Sequence, residues 1–413
     1  MTNPLAISDV ATQDARSQDA SLWDEVRRLF AGFEKTAYVR ELKAIFDNLH
    51  DDELVEALEN TRWTGRPGYP IPIMWRTIVA SFYLGIIHDT DLIRNLHANP
   101  LLAQACGINN PGLIPSKYAY CRFRKKLIHF NDLVAKALAQ CVEALKQAIP
   151  GFSETVAVDA TDVKAWANGL HQETDPDAGT GAKHKSSRRV YWYGYKVHLV
   201  ADANSELPIW FHLTPANVYD GAHLPTVLKG AEAQFSWFQP THVLADKGYD
   251  SKECFRFVGE EMKAMPIIDV RKYARRRPRQ GRPCEAYPVQ TPEGIRYRCN
   301  RVPYDSKCPR FGHCPMLPVF VDSPLNTFVA PSYYEQHIPF PYGSKEWKAI
   351  YNKRVGIERV FSRLKTYRKL DAIRVRRMSK VWLHVALSLL TMGSTALAKL
   401  AQGSTKVRAC CPR

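Results

Sequence analysis

The sequence predicts an α/β protein: a mixed sheet with an all-α region before it and a β- and loop-rich insertion ahead of the last helices. Three observations predict this. Apolar residues recur at helical spacing through residues 70–150, the repeat that lets a helix bury one face. From about residue 153, short β-type runs take over and then alternate with helical stretches, the order that builds a mixed sheet. Residues 270–345 break both patterns with proline, arginine and cysteine, and helical spacing returns from Gly343.

Taken in order, residues 1–60 read as helical, with Leu22–Phe33 and Tyr38–Leu58 as candidates. Helices follow at Trp75–Ile87, near Asp91–Leu96, and at Leu101–Cys106, which Pro100 opens. Ser116 is placed to cap a helix carrying Tyr118, Cys121, Phe123 and Leu127 beside Arg122, Arg124, Lys125 and Lys126. Short helices with cations on the last fit helix-turn-helix docking on DNA and fit a plain bundle equally well. Thr155–Asp159 is a β-type run ending in an acid. Arg189–Ala201 alternates, with Tyr191, Tyr193, Tyr195, Val197 and Leu199 on one face. Asp202–Pro208 reads as a turn and Ile209–Thr214 as the return strand. Asp220 is a candidate cap for a helix over Ala222–Phe235. Thr241–Asp246 is a second strand ending in an acid, and a helix over Ser251–Met262 should follow. The reading divides the chain into segments 1–60, 61–150 and 151–400, with the insertion at about 265–345 and a disordered tail at 401–413.

The bulk numbers narrow the function. A length of 413 residues allows two or three folded units. A formal charge of +16 favours a polyanionic partner, either nucleic acid or an acidic membrane surface. Residues 1–20 carry Asp9, Asp14 and Asp19 and no long apolar run, so no secretory signal is expected. Val381–Leu400 has the length of a membrane span, but His384, Ser388, Thr391, Ser394, Thr395 and Lys399 make it too polar for lipid, and a buried helix is expected. The expectation is a cytoplasmic protein without a membrane association, its ten cysteines free or metal-bound.

The segment around Glu358 carries the chemistry. At about 100° per residue, Arg354, Glu358 and Lys365 fall at about 300°, 340° and 320° from Tyr351 on an ideal helix. One stripe thus holds a phenol, a guanidinium, a carboxylate and an ammonium, and Ile350, Ile357, Val360, Phe361 and Leu364 form the face beside it. Taken alone, Arg354 and Glu358 also fit an ordinary surface ion pair. Asp159 and Asp246 shift the balance, since an acid at the carboxyl end of a strand sits where sheets present ligand sites. Three converging carboxylates need a cation between them, and Mg²⁺ or Mn²⁺ suits oxygen ligands and phosphate. Two such ions can hold the attacking and leaving oxygens of a phosphodiester in line.

Tyr351-x₂-Arg354-x₃-Glu358-x₆-Lys365 resembles the Y-R-E-K signature of DDE-type insertion-sequence transposases. Val158–Thr161 resembles their first-aspartate motif and Leu244–Asp250 their second, with Gly194–Leu199 and Thr214–Asp220 matching in between. Residues 72–127 resemble the helical region before the catalytic core in that family. The resemblance implies an RNase H-like core with Asp159, Asp246 and Glu358 as catalytic, metal-holding residues. It also implies that Tyr351, Arg354 and Lys365 contact transposon-end phosphates, that terminal inverted repeats and target DNA are the partners, and that a homodimer pairs two ends. The implied reactions are hydrolysis exposing a 3′-hydroxyl and attack of that hydroxyl on target DNA. A nuclease on the same fold and a DNA-binding protein without catalysis stay open; replacing Glu358 with Gln separates the enzyme from the binder.

Weaker signals surround the stripe. Arg271–Arg282, with Arg275 and Arg276, and Arg363–Lys380, with Arg363, read as DNA-facing cations. Asp162 and Asp250 read as turn or cap residues. Cys284, Cys299, Cys308 and Cys314, with His313, lack the tight C-x₂-C spacing of a zinc knuckle. Free thiols are the default there and a structural zinc the lesser reading. In some members of the family that the chain resembles, a DNA hairpin forms and a tryptophan helps hold a flipped base; Trp237 and Trp347 are the candidates for that role here.

Overall fold

The computed structural model describes residues 37–61, 68–167, 169–170, 172–185, 188–269, 286–291, 294–299, 327–329, 338–339 and 344–404. The Leu22–Phe33 helix, the Arg271–Arg282 tract with Arg275 and Arg276, Cys284, Cys308, His313, Cys314 and residues 405–413 lie outside them.

The helical region comprises α1 (Ala37–Phe46), α2 (Asp52–Asn60), α3 (Ile71–Leu84), α4 (Asp89–Ala98), α5 (Pro100–Ala105), α6 (Lys117–Ile128) and α7 (Asn131–Ala148). The single helix expected over Tyr38–Leu58 is two. His50 takes a left-handed φ of 52° and Asn48 folds its amide back onto the Ala44 carbonyl at 2.7 Å, a local bond that competes with helix continuation. Ser116 accepts from Ala119 N–H at the start of α6, the cap the sequence indicates, and Asn99 accepts from Leu102 N–H at the start of α5, beside the Pro100 that opens it. α3 ends at Gly85 with φ 70°, and the Arg368 guanidinium donates to the Phe82 and Tyr83 carbonyls at 2.5 and 2.7 Å. That cation satisfies the Tyr83 carbonyl and shares the Phe82 carbonyl with the Gly85 N–H.

The sheet follows. Its strands are β1 (Thr155–Lys164), β2 (Gly179–Lys185), β3 (Arg188–Asp202), β4 (Leu207–Pro215), β5 (His242–Ala245) and β6 (Met265–Ile268). The order is β2-β3-β1-β5-β6, with β4 also on β3. β1, β2 and β4 pair antiparallel with β3, whereas β1–β5 and β5–β6 are parallel. This is the mixed α/β sheet that the sequence predicts.

Between the strands lie α8 (Leu224–Gln234) and the short α9 (Lys252–Arg256), which continues as a π-turn to Glu261. A separate three-stranded sheet of β7 (Ala286–Thr291), β8 (Gly294–Cys299) and β9 (Thr327–Val329) falls in the expected insertion. The chain ends its described part with α10 (Lys345–Tyr351), α11 (Val355–Thr366) and α12 (Met378–Ala401).

α12 is long and apolar enough to cross a membrane, but most of it is buried inside the protein, against α7, α1, α3 and β4. The buried-helix expectation for Val381–Leu400 holds. One continuous core runs from Val39 in α1 through the sheet to Ala398 in α12.

Candidate active site

β1 continues five residues past Asp159, to Lys164, where the sequence reading ends it at the acid. The reason lies in its two partners. β3 stays paired out to Lys164↔Gly194, whereas parallel β5 stops at Val158↔Ala245. Asp159 and Asp246 are therefore the next residues on adjacent parallel strands, side by side where the shared ladder ends. β6 stops level with β5 at Ala245↔Ile268, so Asp269 is the third acid along that edge.

Local bonds fix both aspartates. Asp159 Oδ1 accepts from Ala160 N–H at 2.8 Å, and Asp246 Oδ1 from Gly248 N–H at 2.7 Å. Burial and the Asp246 carboxylate push Asp159 up to about 7, and the Ala160 N–H and Arg354 offset only part of this. The Tyr249 phenol is buried beside them, and its hydroxyl makes no hydrogen bond. Burial raises its pKa first, and then Asp159, Asp220 and Asp246 do. Asp220 does not cap its helix by a side-chain bond. Its carboxylate instead meets Lys196 Nζ at 2.8 Å.

The glutamate segment is α10, a 3₁₀ turn over Asn352–Arg354, and α11, not one continuous helix. The stripe survives because a 3₁₀ turn brings residues three apart into line: the Arg354 guanidinium lies over the Tyr351 ring, 5.6 Å from its centre. Arg354 Nη2 donates to Glu358 Oε1 at 2.5 Å and Nη1 stands 3.5 Å from Asp159 Oδ2. One guanidinium thus joins the first aspartate to the glutamate. Ile357, Val360, Phe361 and Leu364 are buried, as the periodicity requires.

Lys365 and the other residues singled out in the sequence are placed less simply. Lys365 Nζ lies 3.4 Å from Asp162, which also binds Lys183 at 2.9 Å. Arg363 is drawn inward and pairs, with Arg359, to the buried Glu206. Arg368, part of the tract assigned to DNA, is buried as the cap of α3. Trp347 is buried and stacks on Tyr351, 4.4 Å between ring centres. Trp237 stacks on Phe235 and donates to Glu143 in the helical region.

Among the described residues, no three Asp, Glu, His or Cys side chains stand close enough to hold an ion between them; Glu358 faces Arg354. Adjacent aspartates, one of them pushed to about 7 and beside an unpartnered phenol, nevertheless form the donor set that a hard divalent cation fits.

Residues 150–392 match the family described as Transposase DDE domain. The chain belongs to the DDE transposases. Residues 27–126 match a second family, Transposase domain (DUF772), so the helical region is a transposase element too. Among curated proteins, a transposase for insertion sequence element IS1106 from Neisseria meningitidis serogroup B is 32% identical over 145 residues. That stretch is 35% of this chain and 46% of the relative, so the match spans about half the relative's length. No solved structure matches. Sequence reasoning on this transposase missed Asp269, Lys196 and Glu206. Asp269 closes an apolar strand as Asp246 does, and that signal was readable; Lys196 and Glu206 matter only through partners distant in sequence.

Proposed function

We propose that this transposase binds the terminal inverted repeats of its insertion sequence, hydrolyses a phosphodiester to free a 3′-hydroxyl and joins that end to target DNA. The observation that carries the reading is the pairing of Asp159 and Asp246 at the ends of parallel strands, with Arg354 tying Asp159 to Glu358. The strand order β4-β3-β1-β5-β6, three antiparallel and then two parallel, supports an RNase H-like core. We further propose residues 61–150 as the helical, end-binding part, following an N-terminal segment over 1–60, with 151–400 as the catalytic domain and a homodimer for pairing two ends in the cytoplasm.

Asp159, Asp246 and Glu358 are the residues to hold magnesium or manganese. When bound, two such ions would neutralise the acids and stabilise charge building on the attacking and leaving oxygens. The chain's own groups do the rest. Arg354 keeps Asp159 and Glu358 from repelling each other in the free protein and offers a fork for phosphate when DNA arrives. Tyr351, pinned by Trp347, holds a phenol beside Arg354. Lys365 adds charge above β1. In the first step water attacks phosphorus, the bond to the 3′-oxygen breaks and that oxygen gains a proton. In the second, the freed 3′-hydroxyl loses its proton as it attacks a target phosphate and expels a target 3′-oxygen.

The test is incubation of the purified protein with DNA carrying its element's ends and Mg²⁺, with strand cleavage scored. Glu358→Gln should lower cleavage by about 10³-fold or more, as expected when a group acting only in the transition state is lost, and should leave end binding intact. Full cleavage by Glu358→Gln would refute the reading.

A further inference from the structure

The first half of β3 leaves the sheet. β1 and β4 pair with β3 only from Gly194 and Tyr195 onward, whereas β2 pairs with it over residues 188–194. Residues 179–185 and 188–193 thus pair as a two-stranded ribbon, with no third strand beside it among the described residues. Its length past Gly194 is on the order of 20 Å at about 3.3 Å per residue. Gly194 marks the root: a Cβ there would lie 2.1 Å from the Val163 carbonyl oxygen, so only glycine allows the close crossing over β1. An isolated hairpin is marginal in water, and this one exposes Val190 at 40% and Tyr191 at 62%.

Its chemistry is one-sided. Residues 179–193 include Lys183, Lys185, Arg188 and Arg189, and no acid. Register places Lys183 opposite Val190 and Ala182 opposite Tyr191. Opposed residues share a face, so both faces carry a cation and an aromatic ring. Arg189 stands over Tyr191 at 5.4 Å, and Lys183 over Trp192 at 5.4 Å. The loop after β1 runs beside the root, with Ala165 N–H bonded to the Tyr193 carbonyl. It exposes Trp166 at 48% under the guanidinium of Arg374. Cations alone would explain a protected edge. They do not explain why a lone ribbon also exposes a valine and a tyrosine, nor its rooting by Lys183 to Asp162, the residue that Lys365 also faces.

We propose that the β2–β3 ribbon is a DNA arm that enters a groove of the duplex flanking the scissile phosphate. A two-stranded ribbon fits the major groove, about 12 Å wide. Arg188 and Arg189 meet phosphates, and Tyr191 packs against the groove wall. The assignment rests on DNA being the substrate, as proposed above.

The test uses the full chain, a fluorescein-labelled mixed-sequence duplex and anisotropy across a salt series. Each phosphate contact contributes about 0.9 to the slope of log affinity against log salt. Arg188→Ala with Arg189→Ala should flatten that slope by about 1.8, and the Arg→Lys pair should restore most of it. In the unaltered protein, the duplex should slow amide exchange across residues 188–193, a readout independent of how the variants fold. An unchanged slope in a folded alanine variant overturns the arm, as does unchanged exchange. If the unaltered protein cleaves end DNA while either result appears, the arm fails and the transposase reading stands. If it cleaves nothing, that reading fails on its own.

Discussion

Asp159 shows what the site requires of a single residue. It stands next to Asp246 at the end of a parallel ladder, with a side chain only 22% exposed. Burial and the like charge push it up to about 7. The sign of the linkage follows. Between the ordinary carboxylate range near 4 and about 7, the folded chain holds a proton that the unfolded chain has lost, so stability falls as pH rises through that window. Asp159→Asn removes this slope. Without divalent ions the variant should melt higher than the parent at pH 8, by the equivalent of about 1–3 kcal/mol, while cleavage is lost, a trade of stability for function. Magnesium should raise the melting point of the parent and much less that of the variant. A variant melting at or below the parent in EDTA at pH 8 would show that the acid pair is not strained. Both acids were legible in sequence because each follows an apolar run. The strain was not, because it depends on the register between β1 and β5.

At the scale of an element, α11 must hold Glu358 over the sheet edge, and the β3–β4 turn anchors it. Glu206, in that turn, takes a left-handed φ of 58° and is 2% exposed. Burial pushes its carboxyl up, but hydrogen bonds from Arg359 and Arg363 outweigh this and hold it below the usual range. Gly356 fits against the same turn: a Cβ would lie 2.9 Å from the Ala203 carbonyl oxygen. Glu206→Gln should cost about 2–3 kcal/mol in urea unfolding, less than a fully buried pair because Arg359 is half exposed. Gly356→Ala gains about 1 kcal/mol of helix propensity but forces the turn away, and overpacking of about 1–3 kcal/mol decides the sign. Both variants should lose more than tenfold in cleavage where they remain folded, since a shift near 1 Å misplaces the glutamate. Parental stability in Glu206→Gln would mean that the apolar face alone holds α11. The amphipathic period gave that face correctly. It could not give the latch, because Arg363 reads as a DNA-facing cation and Arg359 carries no signal of its own until Glu206, over 150 residues away, is folded beneath them.

At the scale of the whole molecule, the composition shift near residue 153 suggests a boundary that the packing does not respect. α12 packs against α1, α3 and α7 and also against β4. Three of its hydroxyls return to its own carbonyls, Ser388 to His384, Thr391 to Leu387 and Thr395 to Thr391, which helps a helix with that many polar residues stay buried. Arg368, from the segment after α11, caps α3. Helical region and sheet should therefore unfold together, and the cysteines report on it. Cys106 follows α5, Cys141 touches Ser394 of α12 at 3.9 Å and Cys254 lies in α9. All three are buried, and Cys121 is exposed. Burial pushes Cys106 and Cys141 up to about 12 and raises Cys254 as well, so none supplies thiolate in the native state. In a urea series read by alkylation and peptide mass, Cys121 should react from the start. Cys106, Cys141 and Cys254 should become reactive at one common midpoint, because exposing any of them opens the core they share. If Cys106 reacted at lower urea than Cys254, the helical region would be a separable unit and α12 would not couple it to the sheet.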